Sequence, residues 1–338
     1  WLSGLRYSPF PTTSVWNNLF RETNEKRYEH REDLRVKPAP PRSSIESLTV
    51  SDAAILGFVQ GLTEFLPISS SGHLKIAQRL FGLEGGSRFL FFDCLLHMGT
   101  LLAVVVFFFQ DLKTLSKSLL DAPKVIYSTY LQNKELNKTE NGKKKKKRRR
   151  KKQEDKIQLP EEIMYLGYLA VGTFVTGAFG LVFQDLLEFL FDSLHAVGFA
   201  LVITGLLLLS TQVVQRREET KLNAKRAAII GLAQGIAITP GLSRSGTTIA
   251  TSLLLGLSRE AAVRFSFLLS IPAVAGATLL QAMDASRRIA MLPALAGTGA
   301  AFLSGLFFLW FLVLIVRKGG LFLFALYTIP LGIFVFLV

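Results

Sequence analysis

Residues 53–72 read AAILGFVQGLTEFLPISSSG, and residues 227–246 read AAIIGLAQGIAITPGLSRSG. The two stretches align without a gap at an offset of 174, and nine of the twenty pairs are identical. The shared skeleton is A-A-I-x-G-x-x-Q-G, seven variable positions, then S-x-S-G. Each copy is an apolar stretch interrupted by proline and a Ser/Gly cluster, Pro67 to Gly72 and Pro240 to Gly246. A duplicated, broken apolar segment in the two halves of a membrane chain points to a buried site at the repeat interface. The copies differ where chemistry would sit. Glu64 faces Ile238, Ser70 faces Arg244, and His73, just beyond, faces Thr247. Together they can build one asymmetric site.

The rest of the chain agrees with a membrane setting. Half of the 338 residues are hydrophobic and 27 are Phe, more apolar sequence than a soluble domain of this length carries. Six apolar runs are long enough to cross a bilayer, at about 89–109, 163–183, 195–214, 261–282, 292–316 and 319–338. The expected fold is therefore an all-α integral membrane protein with an inverted-topology repeat: about six transmembrane helices plus two re-entrant helix hairpins. Broken backbone at membrane depth survives only where protein or a water-filled cavity surrounds it, so both duplicated segments read as hairpins inside a bundle.

Charge orients the chain. Ten of the net +14 charges form one run, Lys143 to Lys152. The remainder does not describe a nucleic-acid binder, and no nucleic-acid partner is expected. Cytoplasmic Lys/Arg excess places the 110–160 loop inside, with 215–226 and Arg317-Lys318 on the same side. The acidic 184–192 loop falls outside, as does Arg287-Arg288, against the rule. Three crossings then separate the hairpins, which inverts the repeat and lets the hairpin tips meet near the midplane. Residues 1–50 read as a disordered or targeting-like extension and 51–338 as the membrane domain, with a polybasic insertion at about 130–158. The extension lacks the long apolar core of a secretory signal, and its acids argue against a clean transit peptide. The single cysteine, Cys94, offers neither a disulfide nor a thiolate metal site.

Here the motifs become specific. Q-G-L-T-E-F-L-P-I-S-S-S-G-H-L, followed downstream by P-G-L-S-R-S-G-T-T, resembles the undecaprenyl-diphosphate phosphatase family, the BacA-type bacitracin-resistance membrane phosphatases, from about Ser51 to the C-terminus. The resemblance implies removal of the terminal phosphate from a C55 polyprenyl diphosphate. This recycles the lipid carrier for cell-wall glycan (peptidoglycan) synthesis. It implies a fold with two re-entrant hairpins, and catalysis by His73 and a neighbouring serine, Ser70. The family pattern often carries Glu where this chain has Gln60. Gln60 offers no second negative charge, which weakens a two-carboxylate metal site.

The residues themselves supply the parts. Arg244, always charged and planar, can clamp two phosphate oxygens, or pair with a lipid headgroup. Ser243, Ser245, Gly246, Thr247 and Thr248 lie where a half-helix begins, so free N–H groups and hydroxyls can wrap an anion. Glu64 is an intramembrane acid, costly unless used; it can serve as general base, as ligand of a divalent cation (Mg or Ca), or as partner of Arg244. Gln60 lies one turn earlier on the same face. Ser69 and Ser71 are either substrate contacts or helix caps. Asp93 and His97, one turn apart, either line the cavity or join helices. Arg264 reads as snorkelling at a span end, His195 opens a span, and His30 carries no signal.

The expected partners are a polyprenyl diphosphate, the lipid bilayer and, at the basic insertion, anionic lipid. A homo-oligomer is compatible with the chain, and no organic cofactor is called for. The expected place is the plasma (inner) membrane with the site facing outward, or a plastid membrane if the extension is a transit peptide. A lipid-phosphate transporter or flippase is the rival class, since inverted repeats with broken helices are a transporter plan. A carrier, however, has no use for a base beside a hydroxyl.

Overall fold

The computed structural model describes residues 48–83, 90–140, 159–191, 193–212, 220–284 and 290–337. Along the chain these form α1 (Val50–Phe65), α2 (Ser70–Leu80), α3 (Leu90–Phe107), α4 (Phe109–Glu140), α5 (Glu161–Val182), α6 (Gln184–Phe191) and α7 (Leu194–Ser210). Then follow α8 (Ala224–Ile236), α9 (Arg244–Leu254), α10 (Arg259–Asp284), α11 (Met291–Arg317), a 3-10 turn (Gly320–Phe324) and α12 (Ala325–Leu337). No strand occurs among the described residues.

Among the described residues, five helices are long and apolar enough to cross a membrane: α3, α5, α10, α11 and the run Gly320–Leu337. Their outer surfaces keep large apolar side chains uncovered. Phe174 is 76% exposed, Leu181 73%, Leu303 66% and Phe334 65%, an apolar surface suited to a bilayer. The sixth expected span, 195–214, is the 17-residue helix α7. At its end the hydroxyls of Ser210 and Thr211 donate to the carbonyls of Leu207 and Leu208. A second difference lies after α3. The start of the expected 110–160 loop is instead the 32-residue helix α4, with Pro123 inside it. The basic run Lys143–Lys152 and most of the 1–50 extension, His30 included, lie outside the described residues.

Each duplicated segment is a helix, a tight break and a second helix: α1 and α2, then α8 and α9. The shared glycines show why the skeleton is repeated. A Cβ on Gly57 would stand 2.1 Å from Gly297 O, and one on Gly61 2.0 Å from Ser304 Oγ, so α1 lies backbone-close along α11. The same positions of the second copy do the same work on α5. A Cβ on Gly231 would stand 2.4 Å from Gly172 O, and one on Gly235 2.7 Å from Phe179 Cβ. Small residues four apart let helices approach where lipid supplies no hydrophobic drive between them. The packing is thus reciprocal. The leading helix of the first hairpin runs along a helix of the second half, and that of the second hairpin along a helix between the copies. Phe65 at the end of α1 meets Phe267 of α10 edge to face, with centroids 5.8 Å apart, in the buried cluster beneath the two breaks.

The breaks are built differently. In the second, Gly241 turns the chain at φ +90°, packed so tightly that a Cβ would meet Val197 O at 2.4 Å. Its counterpart in the first copy is Pro67, whose ring forbids positive φ. The reversal there falls on Ser69 at φ 71°, a non-glycine residue in the left-handed region.

Candidate active site

Glu64 lies in the last turn of α1 with its side chain buried against the second hairpin. Oε1 is ion-paired with Nη2 of Arg244, the first residue of α9. Oε2 accepts from the Ser70 hydroxyl at 2.7 Å and from Gln60 Nε2 at 3.0 Å. A buried carboxylate needs such company, because an unpaired charge in this setting is expensive. Gln60 spends its second amide hydrogen on His97 Nδ1 of α3, 3.0 Å away. The carboxylate's need for a donor fixes the amide orientation, so Nδ1 accepts and His97 carries its hydrogen on Nε2. That same Nδ1 is 3.7 Å from Glu64 Oε2. Gln60 Oε1 is left buried without a partner.

The two tips are tied directly: Ser245 Oγ donates to Phe65 O at 2.8 Å. Ser243 caps α9, its Oγ accepting from Gly246 N at 3.2 Å, and its own N–H donates to Thr204 Oγ1. This is capping geometry that presents the first turn of α9 to the break. Thr248 donates to Arg244 O at 2.9 Å, while Thr247 Oγ1 is buried without a partner. Ser69 occupies the matching cap position of α2 but makes no side-chain cap bond; its hydroxyl lies 3.4 Å from that of Ser71.

Among the residues singled out from sequence, Glu64, Ser70, Arg244 and Gln60 converge. His73 does not join Ser70. Its Nδ1 donates to Ser69 O at 2.8 Å, which leaves Nε2 to accept from Tyr327 OH of α12 at 2.7 Å. The hydroxyl of Ser70 is held by Glu64 instead. Arg264 is not a free snorkelling side chain either: Nε pairs with Asp111 at 2.6 Å, and the guanidinium lies 5.1 Å over the Tyr165 ring. Asp93 accepts from Gln78 at 2.6 Å and joins α3 to α2. His195 packs edge-on against Phe336.

His97, read from sequence as lining the cavity or joining helices, does both: it reaches Gln60 of α1 and lies beside Glu64. One residue at the edge of the site was not singled out from sequence. Tyr327 gives no signal, since its partner is 254 positions away.

A sequence model of the family described as bacitracin resistance protein BacA matches residues 53–334. The chain belongs to the BacA family. Among its relatives, the undecaprenyl-diphosphatase of Korarchaeum cryptofilum is 39% identical over 287 residues, covering 85% of this chain and 98% of that protein. The protein of the same name from Alkaliphilus metalliredigens is 38% identical over 299 residues, 86% and 98% of the two chains. That of Treponema denticola is 38% identical over 290 residues, 85% and 96%. This BacA-family chain is an all-α integral membrane protein, and the matched region contains both breaks and every residue of the site just described.

Proposed function

We propose that the chain hydrolyses an undecaprenyl-type polyprenyl diphosphate to the monophosphate and phosphate, the reaction its relatives' name describes. The observation that carries the reading is the meeting of Glu64, Ser70 and Arg244 where the two hairpin tips touch. Phosphoryl transfer asks for positioning and charge neutralisation more than for covalent chemistry. Arg244 offers its fork to the phosphoryl oxygens, and the start of α9 offers N–H groups and hydroxyls. The relatives compared carry a hydrolase's name rather than a carrier's, and nothing in the site favours the transporter reading.

In this mechanism the Ser70 oxygen attacks the terminal phosphorus as its proton passes to Glu64. The bond to the leaving polyprenyl phosphate breaks, and water then releases phosphate from the seryl ester. The Glu64–Ser70 hydrogen bond of 2.7 Å is the base–nucleophile contact such a step needs; His73, engaged by Ser69 and Tyr327, acts from the flank. Among the described residues no three His, Cys, Asp or Glu side chains gather into a metal site. A divalent cation fits as one shared with the substrate: Glu64 and the unpartnered Gln60 Oε1 would hold it, and it would neutralise developing phosphate charge. We place the site toward the outer face of the plasma membrane, on the basis of the basic run's expected cytoplasmic side.

The test is phosphate release by the purified protein in detergent from a C15 or C55 diphosphate. Turnover that disappears in Glu64→Gln but survives in Ile238→Val supports the reading. Acid-quenched mass spectrometry of His73→Ala during turnover should find phosphate on Ser70. A fully active Ser70→Ala protein would move the attack to a water held by Glu64.

A further inference from the structure

Beside Arg244, the start of α9 and the middle of α10 enclose a small cavity. It is lined by Arg244, Ser245, Thr248, Ser266, Phe267 and Ser270. Its room is about that of one water molecule, or one oxygen atom of a larger group. Three of its hydroxyls are already committed as donors. Ser245 donates to Phe65 O, Thr248 to Arg244 O, and Ser270 to Phe267 O at 2.8 Å. Two donors are not committed. Ser266 is 2% exposed, and its Oγ is buried with no partner. Arg244 Nη1 is likewise buried with no partner, although Nη2 of the same guanidinium is on Glu64.

Buried donors left open are costly and rare, and each asks for an explanation. Two such donors beside one cavity can share a single acceptor, and the cationic one favours an acceptor bearing negative charge. We propose that this cavity is an oxyanion subsite that takes one non-bridging oxygen of the terminal phosphate, with Ser266 as a further substrate-binding residue. The inference rests on reading Arg244 as the phosphate clamp and adds the clamp's second prong. Nη2 faces the Glu64–Ser70 side, while Nη1 and Ser266 grip an oxygen from the α10 side. A planar guanidinium can serve both sides at once because its N–H groups diverge in one fixed plane.

Two readouts test it on the full-length protein in detergent. The first is the concentration dependence of phosphate release from a C15 diphosphate. The second is thermal unfolding in rising inorganic phosphate at constant ionic strength, which needs no turnover. Ser266→Ala should raise KM, and the phosphate concentration giving half-maximal stabilisation, each about tenfold, since a hydrogen bond to a charged acceptor is lost. The fall in kcat should be smaller. Ser266→Cys is somewhat larger and has only a weak donor; it should move both quantities the same way and stands in if the alanine variant does not fold. Phosphate stabilisation that depends on Ser266 without any release would uphold the subsite and reject the hydrolase. Release with no effect of either variant on KM or on phosphate stabilisation would reject the subsite and leave the hydrolase standing. A wild-type protein that phosphate does not stabilise would also overturn the proposal.

Discussion

Arg244 shows how one side chain can join two halves of a molecule. It opens α9, pairs with Glu64 of α1, and lines a cavity against α10. Lysine would keep the charge but not the fork. Arg244→Lys should lose at least about 100-fold in turnover, measured as phosphate release, and near-normal turnover would reject the clamp. Tyr327→Phe removes the hydroxyl from His73 Nε2 but keeps the ring, whose centroid lies 5.8 Å from the imidazole. If His73 acts through that contact, kcat should fall about tenfold with KM little changed, a part of what acid–base catalysis contributes. Unchanged kcat would reduce the contact to packing. Glu64, Ser70 and Arg244 were legible in the sequence because they are the differences inside a duplication, and Gln60 because it shares a helical face with Glu64. The true partner of Ser70 was not. Sequence neighbourhood favoured His73, three positions on, but the turn at Ser69 aims the histidine at its own backbone and at Tyr327. Only the three-dimensional path of the chain decides that.

The helices were legible to the extent that they are apolar. The runs expected at 163–183, 261–282, 292–316 and 319–338 match α5, α10, α11 and the last helical stretch closely. Helix α4 escaped because Lys113, Lys117, Asp121 and Lys124 hide it from any hydropathy reading, although its Leu, Lys, Gln and Glu residues are good helix formers. The glycines of the duplicated skeleton were visible as repeats, but what they touch was not. Gly57→Leu and Gly231→Leu should each lower the unfolding temperature in detergent, because the added atoms would meet backbone of α11 or α5 at under 3 Å. Gly167→Leu is the control, with nothing within 4 Å of its Cβ position. Equal effects at all three sites would mean that general helix propensity, rather than close approach, sets the requirement.

At the level of the whole molecule, the polybasic insertion can be separated from the chemistry. Lys143 to Lys152 lies far along the chain from both breaks. Deleting residues 140–155 should leave turnover in neutral detergent unchanged while weakening salt-dependent binding to anionic vesicles, at about 1 kcal/mol for each charge near the surface. A large fall in turnover would show that the insertion reaches the site. Protease cleavage of this segment in sealed vesicles from the side opposite the cytoplasm would invert the proposed orientation.

The reciprocal packing of the hairpins has a consequence for assembly. Cut the chain near residue 216, and each fragment keeps a hairpin whose groove is on the other piece, and a groove whose hairpin is missing. Neither fragment should accumulate alone, whereas the two expressed together should find each other in the membrane and restore phosphate release. A stable, isolated N-terminal fragment would contradict this. By the same logic, damage to either groove should be felt in the opposite half: a bulky residue at Gly297 of α11 would unseat the first hairpin, and one at Gly172 of α5 the second.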